Sequence, residues 1–160
     1  MFTNLRIGVF SFISLCLPLA ASAQVVLYGP PIALEVAKKV AAGAAAEAKK
    51  NNFTMAIAIV DTGGVLTYFE KIDGTQIASV EVAIGKARSA NAYKRPTKVF
   101  EDAVAGGRNA VLGLPGALPI EGGVPLVADG KIIGAIGVSG GSAQQDGQIA
   151  TAGANALQAK

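Results

Sequence analysis

Few side chains in this sequence could do chemistry, and their types exclude much. There is no histidine, and the single cysteine is Cys16. Cys16 lies in an apolar N-terminal run that reads as removed on export, so the mature chain has no thiol. Ser-His-Asp and Cys-His catalysis and His- or Cys-based metal sites are therefore excluded. The remaining candidates are Lys86 and Arg88, in Ile84-Gly85-Lys86-Ala87-Arg88, and Arg95, in Arg95-Pro96-Thr97. A cation on a helix face can hold a ligand carboxylate; it serves equally as solvated charge or intersubunit salt bridge. Asp61, Asp73, Glu121 and Asp146 all lie in loops that contain glycine. They could act as a base or metal ligands, or each could stabilise its own turn. Ser139-Gly140-Gly141-Ser142 leads into a capping box formed by Ser142 and Gln145. Free N–H groups at such a helix start could receive a carboxylate.

Positioning these groups takes an alternation of helices and hairpins. Pro30-Pro31 opens a helix over 32–50 with an alanine-rich apolar stripe (Ala33, Leu34, Ala37, Val40, Ala41, Ala44, Ala48). Residues 53–60 read as a buried strand, Asp61-Thr62-Gly63-Gly64 as a turn and 65–70 as the return strand. A second helix over 76–93 has one apolar stripe (Ile77, Val80, Ile84, Ala87) and a mixed face (Ser79, Val82, Lys86, Ser89, Tyr93). A mixed face calls for a partner, either a subunit or a ligand. Thr97 is positioned to cap a short helix to Val104, and a short segment follows at 108–112. Glu121-Gly122-Gly123 then leads to the strongest hairpin signal, 124–128 and 131–138 around Asp129-Gly130, which suits a type I′ turn. Gly134 and Gly137 in the return strand imply close approach of a helix backbone or a flat ligand. The last helix reaches about Leu157. The order predicts an α+β fold with helices packed on an antiparallel sheet.

The ends of the chain predict its compartment. Arg6, the apolar run 7–19 and Ala21-Ser22-Ala23 form a signal peptide over 1–23, cleaved before Gln24. Residues 24–31 are then a short mature leader and 32–160 one domain. The expected location is periplasmic or secreted, with no stable membrane anchor after cleavage. Net charge is +3, one unit of it from Arg6, and the sequence has no basic run and no tryptophan. Nothing here suits nucleic-acid binding.

Six blocks, in order, resemble the GlcG/HbpS-like family: 56–64 (Ala-Ile-Ala-Ile-Val-Asp-Thr-Gly-Gly), 84–88, Arg95-Pro96-Thr97, 121–125 (Glu-Gly-Gly-Val-Pro), 134–140 (Gly-Ala-Ile-Gly-Val-Ser-Gly) and Gln145-Asp146-Gly147. The resemblance spans about 32–157. It implies a profilin-like domain with a five-stranded antiparallel sheet, homo-oligomers that are dimers or octamers, and kinship with the C-terminal domain of some corrinoid adenosyltransferases. It also implies haem binding in some members through histidine, a mode this sequence cannot use.

The resulting expectation is an exported oligomer that binds haem or a related tetrapyrrole. Two alternatives stand beside it. One is an enzyme or accessory protein for a small 2-hydroxy or 2-oxo acid; the other is a structural oligomer without a small ligand. The candidate ligand-binding residues are Lys86, Arg88, Tyr93, Glu121, Gly122, Gly123, Ser139, Gly140 and Gly141. No catalytic residue and no metal ligand set is assigned. If haem binds, neither His nor Cys holds its iron; Tyr68 and Tyr93 are the strong donors left and Met55 a weaker one.

Overall fold

In the computed structural model residues 26–158 are described; the expected signal peptide at 1–23 lies outside them. The chain runs α1 (Leu34–Lys50), β1 (Ala56–Asp61), β2 (Leu66–Lys71), α2 (Ser79–Tyr93), α3 (Lys98–Ala105), a 3₁₀ helix (Asn109–Gly113), β3 (Gly123–Ala128), β4 (Lys131–Ser139) and α4 (Ala143–Ala156). The strands form one antiparallel sheet in the order β2-β1-β4-β3. The α+β architecture is as expected, but the sheet has four strands rather than five. The nearest thing to a fifth is the leader, where Tyr28 makes a single parallel bridge to Ile132. Gly29-Pro30-Pro31 follows at once, and proline brings no N–H to extend a ladder.

Alternation along the central strands sorts side chains to two faces. Ile57, Ile59, Ile136 and Val138 face α1 and α4, which contribute Val40, Ala41, Ala44, Ile149 and Ala150. Five members of the predicted stripe of α1 are fully covered (Ala37, Val40, Ala41, Ala44 and Ala48), whereas Ala33 and Leu34, at the open start of the helix, are exposed. Ala56, Ala58, Val60 and Ala135 face α2, which contributes Ala83, Ala87 and Ala90. Gly137 lets α2 approach on this side, because a Cβ there would overlap the Ala83 carbonyl oxygen. Of the two partners implied by a bare strand position, it is a helix backbone that fills this one.

Local signals hold at the hairpin and at the last helix. Asp129 and Gly130 both have positive φ (48° and 71°), as a type I′ turn requires. Ser142 and Gln145 form the expected reciprocal capping box on α4. Thr97 departs from expectation. It has helical dihedrals and makes no side-chain cap; its hydroxyl accepts from the Gly123 N–H (2.9 Å) and its own N–H donates to the Gly123 carbonyl (3.0 Å). The buried loop beneath it takes the bond that the helix end would otherwise have used.

Candidate functional site

Lys86 is the centre of the most densely bonded part of the molecule. It lies in the middle of α2, pointing under the sheet edge, and is 1% exposed. Its Nζ donates to Asp146 Oδ2 at 2.6 Å and to the Val138 carbonyl at 3.1 Å. Asp146, in the first turn of α4, is likewise buried, and its other oxygen accepts from the Gly141 N–H at 3.0 Å. Burial pushes the Asp146 carboxyl above its ordinary range, against the opposing pull of the Lys86 ammonium and of the Gly141 and Gly140 N–H groups. A buried charge demands a partner, and here one pair ties α2, β4 and α4 together.

The two glycine loops close over this pair. Gly122 has φ +125°, and a Cβ there would lie 2.7 Å from the Val138 oxygen and 2.9 Å from Lys86 Nζ. Its carbonyl accepts from the Val138 N–H at 2.9 Å. Gly123 packs on the Lys86 carbonyl, where a side chain would overlap. The Glu121 N–H donates to the Glu101 carboxylate, and the Glu121 side chain lies on Gly147 of α4, 3.9 Å from Lys98 Nζ. Ser139 is buried, with its hydroxyl 3.3 Å from that of Ser79. The Ser142 N–H donates to Gln145 Oε1 at 2.9 Å. The N–H groups of Gly141 and Ser142, read from sequence as a place for a carboxylate, thus meet the chain's own Asp146 and Gln145.

Lys86, Glu121, Gly122, Gly123, Ser139, Gly140 and Gly141 therefore lie together, whereas Arg88 and Tyr93 stand apart. Arg88 is exposed and its Nε donates to the Gly64 carbonyl in the β1–β2 turn (3.2 Å). Tyr93 is half-buried at the end of α2. Its ring meets Phe100 edge-on with centroids 5.1 Å apart, and its hydroxyl donates to the Pro115 carbonyl at 2.6 Å. At Ser89 and Tyr93 the mixed α2 face meets the chain's own segment 112–120: Ser89 Oγ accepts from the Leu118 N–H (3.0 Å), and Gly85 lies under the Leu118 side chain. Together with α3 and the 3₁₀ helix this segment forms a cap on α2.

Two features escaped the sequence reading. Asp146 is one of four acids that the sequence places in glycine-containing loops, and only the fold singles it out as the counter-ion of Lys86. The leader is strapped to the end of α2: the Tyr28 hydroxyl donates to the Asn91 carbonyl (2.7 Å), and Lys94 Nζ sits 4.3 Å from the Tyr28 ring centre and donates to the Val26 carbonyl (3.0 Å). Lys94 adopts a left-handed conformation (φ 54°) at the α2 C-cap, a position where glycine or asparagine would have signalled the end of the helix.

Possible ligands for iron are few. Met55 is fully buried in the core. The Tyr68 hydroxyl lies 3.2 Å from Glu70, and burial and that carboxylate both push it up from its ordinary range, which opposes a tyrosinate ligand. Among the described residues no cluster of three or more acidic, His or Cys side chains could hold a metal ion, and no helix is long and apolar enough to cross a membrane.

Comparison with known proteins shows the family of this fold. Protein GlcG of Escherichia coli K12 is 40% identical over 105 residues, covering 66% of this chain and 78% of GlcG. The crystal structure of HbpS superposes with a TM-score of 0.73 at 32% identity, covering 86% of this chain and 97% of HbpS. A crystal structure of a PduOC:heme complex superposes with a TM-score of 0.71 at 28% identity, covering 79% of this chain and 94% of that one. Residues 32–155, nearly all of the described fold, match the family model described as haem degrading protein HbpS-like, and the chain belongs to that family.

Proposed function

We propose that this chain is an exported, homo-oligomeric protein that binds haem or a related tetrapyrrole on its α3–3₁₀ cap, without histidine or cysteine ligation. The observation that carries this reading is the outer surface of the cap. Val99, Leu112, Leu114 and Ile120 are 40–63% exposed there, and the exposed Arg95 and Arg108 flank them in the chain. Exposed apolar side chains with cations close in the chain suit a flat macrocycle with propionates. The haem complex of a structural relative supports the ligand class.

The buried Lys86–Asp146 pair and its glycine loops serve in this reading as the frame of the cap. They hold Gly123 to Thr97, from which α3 starts. Haem would supply its iron to whatever redox or ligand chemistry follows. Of the chain's own groups, Tyr93 is the donor nearest the cap, and Arg95 and Arg108 would hold propionates. The small-acid reading draws less support, because Lys86 and the Gly141 N–H are already bonded to Asp146.

Export and assembly belong to the same proposal. The signal pattern over 1–23 supports cleavage after Ala23, and intact mass of the periplasmic protein tests it. The exposed apolar cap supports a dimer or octamer, tested by light scattering.

Haemin titration tests the ligand. Wild type is expected to give a saturable Soret shift. Leu114→Asp, at an exposed position, is expected to weaken it about ten- to a hundredfold by removing apolar contact worth roughly 1.5–3 kcal/mol, and Tyr93→Phe to alter the ferric spectrum if the phenolate binds iron. Binding no tighter than to an unrelated soluble protein of similar charge would overturn the proposal.

A further inference from the structure

On the other side of the sheet, remote in sequence from the cap, lies a preformed groove of about 430 Å³ between the end of α1 and the end of β2. Its size falls within the range of small-molecule pockets. Ala45, Phe53 and Ile72 give it an apolar lining. Backbone bonds set its walls: the Phe53 N–H donates to the Ala48 carbonyl (2.9 Å), and the Ile72 N–H to the Met55 carbonyl (2.9 Å).

The charges at its rim are opposite and unmatched. Lys49 lines it from the last turn of α1 and Glu70 from β2. No ion pair joins them or ties either to another described residue; the neighbouring Lys50 instead lies 3.6 Å from Glu47. Glu70 accepts only the Tyr68 hydroxyl, at 3.2 Å. A cation and an anion bordering one apolar groove, neither neutralising the other, are complementary to a ligand that carries both charges beside an apolar group.

We propose that this groove binds a free α-amino acid with an apolar side chain, its carboxylate on Lys49, its ammonium on Glu70 and its side chain against Phe53 and Ile72. The site is independent of the cap and of any haem.

The probes are L-leucine and L-phenylalanine, titrated into ¹⁵N-labelled mature protein and followed by amide chemical shifts. The controls are 4-methylpentanoate, which lacks the ammonium, and isoamylamine, which lacks the carboxylate. At least one amino acid is expected to shift the amides of Phe53 and Ile72 saturably. Each control should bind about tenfold more weakly, the scale of one lost charge-assisted hydrogen bond. Lys49→Met and Glu70→Gln should each lower the affinity by a similar factor while leaving remote amide shifts unchanged, which shows that the fold is intact. The proposal is overturned if neither amino acid gives a saturable shift, if the shifts cluster away from this groove, or if 4-methylpentanoate binds as tightly as the amino acids.

Discussion

The two faces of the sheet are built by different rules. Toward α1 and α4 the strands present Ile57, Ile59, Ile136 and Val138, and the layers are held apart by branched side chains. Toward α2 they present Ala56, Ala58, Ala135 and Gly137, and the helix lies almost on the sheet backbone. The first face is filled by volume, and volume can be redistributed among neighbours. The second is fixed by backbone contact and by one buried ion pair, neither of which has slack. Stability on the first side should therefore degrade gradually with lost volume, and on the second abruptly.

The largest expected effect comes from adding one methyl group on the thin face. In Gly137→Ala the new Cβ would overlap the Ala83 carbonyl oxygen and approach the Ala87 N to 2.5 Å. Helix α2 must then lift away, carrying Lys86 and the underside of the cap with it. The expected cost exceeds about 4 kcal/mol, enough to leave little folded protein. On the thick face, Ile57→Val removes one methylene from a fully buried side chain and is expected to cost about 0.5–1.5 kcal/mol. Urea unfolding of the pair checks the contrast. Equal costs would show that the faces do not differ in tolerance.

The buried pair offers the next test. Lys86→Met keeps most of the side-chain volume but leaves Asp146 buried without its counter-ion, at an expected cost of about 3–5 kcal/mol. Adding Asp146→Leu should recover much of that loss, because an apolar pair of similar volume needs no desolvated charge. Recovery should be incomplete, since the Gly141 N–H also loses its acceptor. A double-mutant cycle in urea measures this; simple additivity would refute the coupling.

The pH dependence sharpens the same test. The native Asp146 carboxyl titrates above its ordinary value of 3.8 because of burial. In the window between that value and the native one, the unfolded chain has released a proton that the native chain still holds. Stability therefore falls as pH rises through the window and is flat above it. Removing the Lys86 ammonium should raise the native value further, so Lys86→Met should lose more stability than wild type over this interval.

This contrast also marks how much was legible in the sequence. Periodicity gave most of the stripe of α1 and the alternation of the central strands, and turn residues gave both hairpins, because those features depend on residues close in sequence. Gly137 announced a close approach, and the capping box announced the start of α4. The candidate ligand-binding residues included Lys86, Glu121-Gly122-Gly123 and Ser139-Gly140-Gly141 beside Arg88 and Tyr93, and Asp146, though in one of the six resemblance blocks, was not marked as the counter-ion of Lys86. That fact depends on a pairing across 60 residues, and no local pattern encodes it. The covering of part of the mixed α2 face by segment 112–120 was hidden for the same reason. Ser89 and Tyr93 called for a partner, and sequence alone does not say whether that partner is another molecule or the same chain. The fifth strand that the resemblance implied is not found among the described residues, where the leader makes a single bridge at Tyr28.

An effect as small as that of Ile57→Val is expected where the thin face meets α4. Ser142 caps that helix by accepting from the Gln145 N–H at 3.3 Å, while the Gln145 side chain returns a bond to the Ser142 N–H at 2.9 Å. Ser142→Ala removes only the first of these, at an exposed helix end where water can replace it. The expected cost is about 1 kcal/mol. Asp146 sits four residues further on, and its bond to the Gly141 N–H holds the same loop from the buried side. If the ion pair fixes the loop, Ser142→Ala should leave the amide shifts of Gly140 and Gly141 nearly in place, and its cost should add to that of Ile57→Val within about 0.5 kcal/mol. A loss of several kcal/mol, or a loop that reorganises when only the cap is removed, would mean that the capping box and not the buried pair sets the conformation of this junction.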